Sequence, residues 1–498
     1  MLKRYFRRHP VRSRRALEIL PGFVSWSLIL FPIWGSFVIP TFVAYYVIIF
    51  AVYWLYRSLS LAFYATLSHF KIRAFSKYDQ LPMLKKDFPS TWNKVHHIIV
   101  IPTYKEPMNT LEDTLRALSA QTYPLKNLHI MLSFEEREGE DAKIKAKELK
   151  KKFANTFGHL WTTFHPDIPG EIKGKSSNTS WGAKQAKKLL VDQEAYDISM
   201  ITITSEDADA HFHPFYFSYL SYSFLHSEKP YNRCWQGGIY FYNNIWRVPA
   251  PIRVLAASQS VMQIYVLSRR DRLISFSTYS TTLRHVDEIG YWDTDVIPED
   301  YRLFFKSYFA KKGDFEVEPI FLPIYADAAE STTFMKSMKN QYEQIKRWAW
   351  GVSDDAYIIR QYILTDGVPF LDKTVRVLKV IEDHFLWPVN WFAVTVSAML
   401  PPLLNEEFSR TIIGKTLPQV TSTLLTLSMV SMLAIFLIDA SNRPKRPKEK
   451  GILSYIMQPL EFILIPVVGF FFSALPGIDA HTRLMLGKYM EYKVTEKV

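Results

Sequence analysis

Residues 22–56 run for 35 positions without a charged side chain, interrupted by Pro32 and Pro40. A bilayer core takes roughly 20 residues of helix, so the run is too long for one span and suits two, turned near residues 39–41. A cleavable leader would have a shorter apolar core followed by a small-residue cleavage site, and that reading is set aside. Three more apolar stretches, 385–404, 417–438 and 452–475, lie toward the other end. The second is clean, whereas the first contains Pro388 and Asn390 and the last contains Gln458, Pro459, Glu461 and Pro466. Polar groups at membrane depth usually face protein or a water-filled path, so the last stretch reads as kinked, as a hairpin or as re-entrant.

The formal net charge of +12 over 498 residues is carried mainly by two short pieces. Residues 1–15 hold seven basic side chains and no acid, and residues 443–450 hold five beside Glu449. Both abut apolar runs, so the basicity belongs to a membrane-lipid surface, and no nucleic-acid partner is expected. Basic loops stay on the cytoplasmic side. That places the N-terminus, the polar middle and the 443–450 loop in the cytoplasm, with 405–416 outside. A single last crossing would put Arg483, Lys488, Lys493 and Lys497 outside, against the same rule. One cysteine, Cys234, leaves no intrachain disulfide and no cysteine-built zinc site. The expected organisation is therefore a basic cytoplasmic segment (1–20), a two-span hairpin (21–58), a cytoplasmic domain (59–368), an interfacial helix (369–384), a region of about three spans (385–478) and an amphipathic basic tail (479–498).

Within the middle, residues 97–101, 128–134 and 198–204 read as strands, and 109–120 and 182–190 as helices. The lysine-rich 138–157 segment reads as a solvated helix face. Strands alternating with helices argue for a parallel sheet in an α/β layer fold. Ligands in such folds sit beyond the carboxyl ends of the strands, which directs attention to the residues just past each strand.

After the first strand come Pro102, Tyr104 and Glu106. After the third come Glu206, Asp207 and Asp209, where carboxylates crowded at a sheet edge suit a divalent cation with oxygen ligands. Asp207 and Asp209 alternate along an extended chain and can face one ion, with Mg2+ or Mn2+ favoured; an acidic turn capping the next helix is the bland alternative. Lys175 and Asn178 lie in a lysine- and glycine-bearing segment ahead of a helix, as a phosphate site would. Glu299 and Asp300 form a further acidic pair. Gln344, Arg347 and Trp348 combine an arginine fork with aromatics, suited to a diphosphate and a sugar face. His211 and His213 are read as packing or hydrogen-bonding groups before metal ligands.

This order resembles the membrane-integrated glycosyltransferases of family 2, the group of cellulose, chitin and hyaluronan synthases, over roughly residues 96–355. Pro102, Tyr104 and Glu106 match the family's Pro-x-Tyr-x-Glu, Asp207 and Asp209 its Asp-x-Asp, and Pro298-Glu299-Asp300 its Thr-Glu-Asp. Gln344, Arg347 and Trp348 match its Gln-x-x-Arg-Trp. The resemblance implies a GT-A-like, Rossmann-like mixed sheet in the cytoplasm plus an α-helical transmembrane region in the plasma membrane. It implies inverting transfer from a UDP- or GDP-sugar to a polysaccharide or other glycan, with single-sugar transfer to a lipid as the rival. Asp300, beside Glu299, is then the base. Pro102, Tyr104, Glu106, Glu135, Lys175, Asn178, Asp207, Gln344 and Arg347 hold the donor, and Asp207 and Asp209 the metal. Trp348, Trp235 and Gln236 face the acceptor. The chain departs from the family at Ser133-Phe134-Glu135-Glu136, where relatives place an aspartate pair, and at Trp235-Gln236-Gly237-Gly238 and Ser277-Thr278-Tyr279-Ser280. From other classes, a transporter leaves the acidic motifs unexplained, and an inactive sugar-nucleotide-binding membrane protein is the remaining alternative.

Overall fold

The structure is a computed structural model and describes residues 2–445, 447 and 453–491. Pro10–Val38 and Pro40–Phe75 are long helices separated at Ile39, which takes φ −137° and ψ 55°. Pro40 drives that break, because its ring disfavours the helical region for the residue before it while its own missing N–H is harmless at a helix start. Among the described residues, four helical stretches are long and apolar enough to cross a membrane: Pro10–Val38, Pro40–Phe75, Ile412–Asn442 and Met457–Met485. Phe23, Trp34, Phe42 and Ile49 stand more than half exposed on the first two, an apolar surface that only lipid or another protein would cover.

One segment differs from the sequence reading, and the last apolar stretch takes one of its expected forms, a kinked one. The interfacial helix and the start of the expected 385–404 span form one helix, Phe370–Thr395, followed by the short helices Leu400–Leu404 and Glu406–Arg410. Its first half carries Asp372, Lys373, Arg376, Lys379, Glu382 and Asp383, which keeps it out of the apolar set, and Pro401-Pro402 prevent its continuation. The last stretch is a broken helix: Leu453–Glu461, a 3-10 turn, Ile465–Gly469, a π turn and Leu475–Met485, with Phe472 at φ −119°, ψ 17°. Pro459, Pro466 and Pro476 each remove a backbone donor along it. Residues 446 and 448–450 of the basic loop and 492–498 of the basic tail lie outside the described residues.

The bundle has two distinct ends. Phe408 packs with Val43, Ala44, Val47 and Leu417, so the Ile39 turn and the 400–411 segment share one end. At the other end buried Asp439 accepts from the Tyr242 hydroxyl (2.9 Å) and pairs with Arg443 (2.8 Å), docking a span onto the polar domain.

That domain is built on eight strands: β1 (His96–Thr103), β2 (Leu128–Glu135), β3 (His159–His165), β4 (Ile201–Ser205), β5 (His211–Phe212), β6 (Arg233–Tyr240), β7 (Tyr279–Thr282) and β8 (Glu316–Tyr325). Their order is β3-β2-β1-β4-β7-β6-β8-β5. The first four are parallel, as the alternation of strands and helices predicts. β7 then runs antiparallel to both β4 and β6, β6 and β8 pair in parallel, and β5 closes the edge antiparallel. The result is the mixed α/β sheet of the GT-A-like class. At the junction Ser205 pairs with Tyr279, so the residues leaving β4 face those entering β7.

Candidate active site

β1 and β2 end side by side and deliver one wall. Lys105 takes a left-handed backbone (φ 58°) and its N–H donates to Glu138 Oε2 at 2.8 Å, which turns the chain just after Tyr104. The Arg137 guanidinium lies 3.8 Å over the Tyr104 ring and also pairs with the buried Glu135 carboxylate. Glu135 and Arg137 line a small cleft together with His165, Asp167 and Lys173. Pro102 pairs across β2 with Ser133, and buried Glu106 presents its carbonyl to Lys145 Nζ at 2.9 Å.

The centre lies at the β4–β7 junction. Lys175 begins the Lys175–Lys187 helix, and its ammonium sits 2.7 Å from Asp207 Oδ1 and 3.1 Å from Glu299 Oε1, with the Ser277 carbonyl as a third partner. Glu299 and Asp300 open the Glu299–Ala310 helix. Asp300 Oδ2 accepts the Ser277 N–H at 2.9 Å, and Oδ1 the Tyr301 N–H at 2.8 Å. The Ser277 hydroxyl donates to Asp207 Oδ2. Burial raises the Glu299 carboxyl to about 7 against the pull of Lys175, with Asp300 and Asp207 adding to the rise. Burial likewise raises Asp300, opposed by Lys175 and by its two backbone donors. Burial alone would lower Lys175, but Asp207 and Glu299 hold it well above the usual lysine value.

The acidic run does not act as three equal charges. Glu206 is fully buried, and neither of its oxygens has a hydrogen-bond partner among the described residues. Burial, then Asp207 and Asp209, push its pKa far up, which keeps it neutral and removes one charge from the crowd. Asp209 Oδ2 accepts the Asp327 N–H at 3.1 Å, and Asp207 is 30% exposed at its side chain.

Three expected ligand-facing residues are structural instead. Asn178 is buried, with Nδ2 donating to the Ser133 carbonyl (2.7 Å) and Oδ1 accepting from the Ser133 hydroxyl (2.6 Å), so it locks its helix to β2 rather than meeting a phosphate. Trp235 is fully buried against Phe224 and offers no face to an acceptor. Gln236 is buried too: Oε1 accepts the Phe276 N–H (2.9 Å) and Nε2 donates to the Thr278 carbonyl (3.0 Å), bracketing Ser277. His211 lies in the β5 pairing, and His213 Nδ1 accepts the Phe215 N–H at 3.3 Å, both roles of packing and hydrogen bonding.

Gln344, Arg347 and Trp348 share one face of the Phe334–Ala349 helix at i, i+3 and i+4. Gln344 accepts from Gln341 Nε2 at 3.1 Å. Trp348 is partly buried, its ring centroid 5.9 Å from that of Phe241, and it packs, as do Leu464 and Phe472 of the broken helix, against the buried cluster of Leu255, Ile345 and Val468. One segment joins this cluster to the acidic one, because Asn243, two residues after Phe241, donates to the Asp209 carbonyl at 3.0 Å. A second joint is Arg302, whose guanidinium reaches Asp354 (2.6 Å) just beyond Trp348 and Asp293 (3.2 Å). Sequence reasoning missed Ser277, Arg302, Asp354 and Arg137, none of which lies within a matched motif.

The donor set fits a hard divalent cation only in part from the chain itself. Asp207 and Asp209 supply carboxylate oxygens, and no group of three or more His, Cys, Asp or Glu side chains poised for a metal exists among the described residues. Two carboxylates with the remaining positions left to substrate phosphates is the pattern of Mg2+ or Mn2+.

The structure is distantly similar to a mannosyltransferase from Pyrobaculum calidifontis solved with GDP-Man and Mn2+, at 13% identity over 75% of this chain and 98% of the other, TM-score 0.40. It is similar to residues 1–349 of TarS from S. aureus at 10% identity over 68% and 90% of the two chains, TM-score 0.38. It is also similar to GalNAc-T7 solved with UDP, GalNAc and Mn2+, at 15% identity over 58% and 55%, TM-score 0.33. No curated protein matches the chain. Residues 202–439, just under half of the chain, match the family described as glycosyl transferase family group 2, and they hold Asp207, Asp209, Asp300 and the 344–348 cluster.

Proposed function

We propose that the chain is a membrane-embedded, inverting transferase that moves a hexose from a nucleoside-diphosphate sugar to a glycan acceptor, in the plasma membrane with its sheet domain in the cytoplasm. The observation that carries this reading is the gathering of Asp207, Lys175, Glu299 and Asp300 at one strand junction. Tyr104, Glu135 and Arg137 form the wall for the nucleoside, with the Glu135 carboxylate accepting from a base N–H and the Tyr104 ring offering a stacking face. Lys175 and Arg347 neutralise the diphosphate as it departs, and such charge stabilisation is usually the largest catalytic term. Asp207 and Asp209 would hold Mg2+ or Mn2+, which when bound supplies further neutralisation of the leaving group.

Asp300 takes the proton from the acceptor hydroxyl. That oxygen forms the new bond to the anomeric carbon as the bond from that carbon to the phosphate oxygen breaks, and the nucleoside diphosphate leaves. Glu299, raised to about 7, stays close to Lys175 and tempers its charge. A lipid-borne acceptor is the second reading, favoured by the apolar cluster that Trp348 shares with Leu464, Val468 and Phe472. The reading is tested with purified protein and labelled UDP- and GDP-sugars: release of nucleoside diphosphate that requires Asp207 and Asp300 is expected. A high polymer or a ladder supports the glycan acceptor, and a single lipid-extractable product the lipid.

A further inference from the structure

The proposed reaction leaves the segment 268–278 without a role, yet one residue in it touches three charged groups of the centre. Ser277 takes a left-handed backbone, φ 54°, although it is neither glycine nor asparagine. That conformation costs free energy and persists only where the surroundings enforce it, most often at working sites. Here it points three groups of one residue three ways. The hydroxyl donates to Asp207, the N–H donates to Asp300 Oδ2 at 2.9 Å, and the carbonyl accepts from Lys175 Nζ.

The segment is held from behind by contacts that have no other evident purpose. Gln236 clasps the residues on both sides of Ser277, through the Phe276 N–H and the Thr278 carbonyl, and the Ser275 hydroxyl donates to the Asp300 carbonyl at 3.0 Å. Thr278 adds a hydroxyl that accepts the Asp207 N–H at 3.0 Å. At its start the segment is fixed to two membrane-side helices. Arg272 reaches Glu382 (2.7 Å) and Asp383 (3.0 Å), and Arg57 of the second long helix reaches the same Asp383 (2.9 Å).

We infer that Ser277 is a positioning residue, and that its left-handed bridge sets the spacing between the leaving-group carboxylate Asp207 and the base Asp300. The inference rests on the proposed function, since it assigns Ser277 a task in that reaction. Asp207 and Asp300 come from different elements, and Lys175 compensates charge there through its pairs with Asp207 and Glu299, whereas Ser277 hydrogen-bonds both Asp207 and Asp300. A single residue that hydrogen-bonds one through its hydroxyl and offers its N–H to the other fixes both.

The test uses the full-length protein in detergent or nanodiscs, with UDP and GDP binding measured calorimetrically in Mg2+ and donor kinetics measured alongside. Ser277→Gly keeps the backbone groups, relieves the left-handed strain and removes only the hydroxyl, so it folds. It is expected to weaken nucleotide binding and lower donor kcat/KM by about 10–100-fold, the worth of a hydrogen bond to a charged group. Its Tm is expected to equal or exceed that of the wild type, and its acceptor KM to stay unchanged. Ser277→Asn, which tolerates the left-handed backbone and keeps a side-chain donor, is expected to recover part of the loss. Glycine behaving as wild type while Asp207→Asn is impaired would overturn the role of Ser277 alone. Donor and acceptor terms falling together with Tm would reduce it to a structural residue and also overturn it. Indifference of binding and turnover to Asp207→Asn would remove the proposed function and this inference with it.

Discussion

At the residue scale the chemistry depends on which carboxylates keep their charge. Burial holds Glu206 well above the ordinary glutamate range, Glu299 is raised to about 7 and Asp300 is raised above the ordinary aspartate. A base must be deprotonated to act, so kcat/KM should fall as pH drops through the raised Asp300 value. The acid limb then lies above the ~3.9 of an unperturbed aspartate, and a pH–rate profile checks this. Replacing Asp300 by Asn removes proton acceptance and keeps an oxygen for one of the two N–H groups, Ser277 or Tyr301, that the carboxylate accepts. Turnover is expected to drop about 10²–10⁴-fold with nucleotide affinity within a few-fold of wild type, as read by single-turnover kinetics and calorimetry. These acidic residues stand out in the chain because acids are rare at strand ends. Ser277 does not, because nothing in a serine's neighbours announces a positive φ.

At the scale of elements, three of the four strands in the parallel half of the sheet were legible, and β3 was not. Apolar β-branched runs mark β1, β2 and β4, which are observed within a few residues of the expected strands. The antiparallel half was not, since β6 opens Arg-Cys-Trp-Gln-Gly-Gly and β7 is Tyr-Ser-Thr-Thr, with neither alternation nor an apolar run. The helix after the lysine loop starts at Lys175, well before the expected 182, because its first turns are the polar Ser176, Ser177 and Asn178, all buried against neighbouring strands and loops. Between elements, Arg302 and Asp354 join the helix bearing Asp300 to the turn after Trp348. Asp354 is fully buried and Arg302 mostly so, and removing one partner from such a pair costs about 3–5 kcal/mol. Arg302→Met is therefore expected to lower the thermal midpoint and to reduce kcat, whereas Arg302→Met combined with Asp354→Leu should recover much of the stability but not the rate. Thermal unfolding and kinetics on the same preparations separate the two effects.

At the scale of the whole molecule, the charge-free run and the basic flanks announced the membrane part, while the helix breaks came from prolines whose effect depends on what packs beside them. Pro40 ends a helix, whereas Pro388 is carried inside the Phe370–Thr395 helix. The Ile39 turn and the 400–411 segment lie at one end of the bundle and the sheet domain at the other. Cys234 is the single cysteine and is buried, so Cys234→Ser gives a silent background for labelling. In intact cells a membrane-impermeant maleimide is expected to label Ser409→Cys, and to label Lys147→Cys only after permeabilisation. The reverse pattern would invert the proposed orientation.

The central claim is that Asp207, Lys175 and Asp300 act together on a nucleoside-diphosphate sugar. The most direct measurement incubates purified wild type, Asp207→Asn and Asp300→Asn with a panel of labelled UDP- and GDP-sugars and Mg2+, and follows both bound nucleotide and released nucleoside diphosphate. The account expects one donor to bind and turn over in the wild type, Asp207→Asn to lose binding, and Asp300→Asn to bind yet fail to release product. Equal release from all three proteins, or binding of no donor by the wild type, would contradict it.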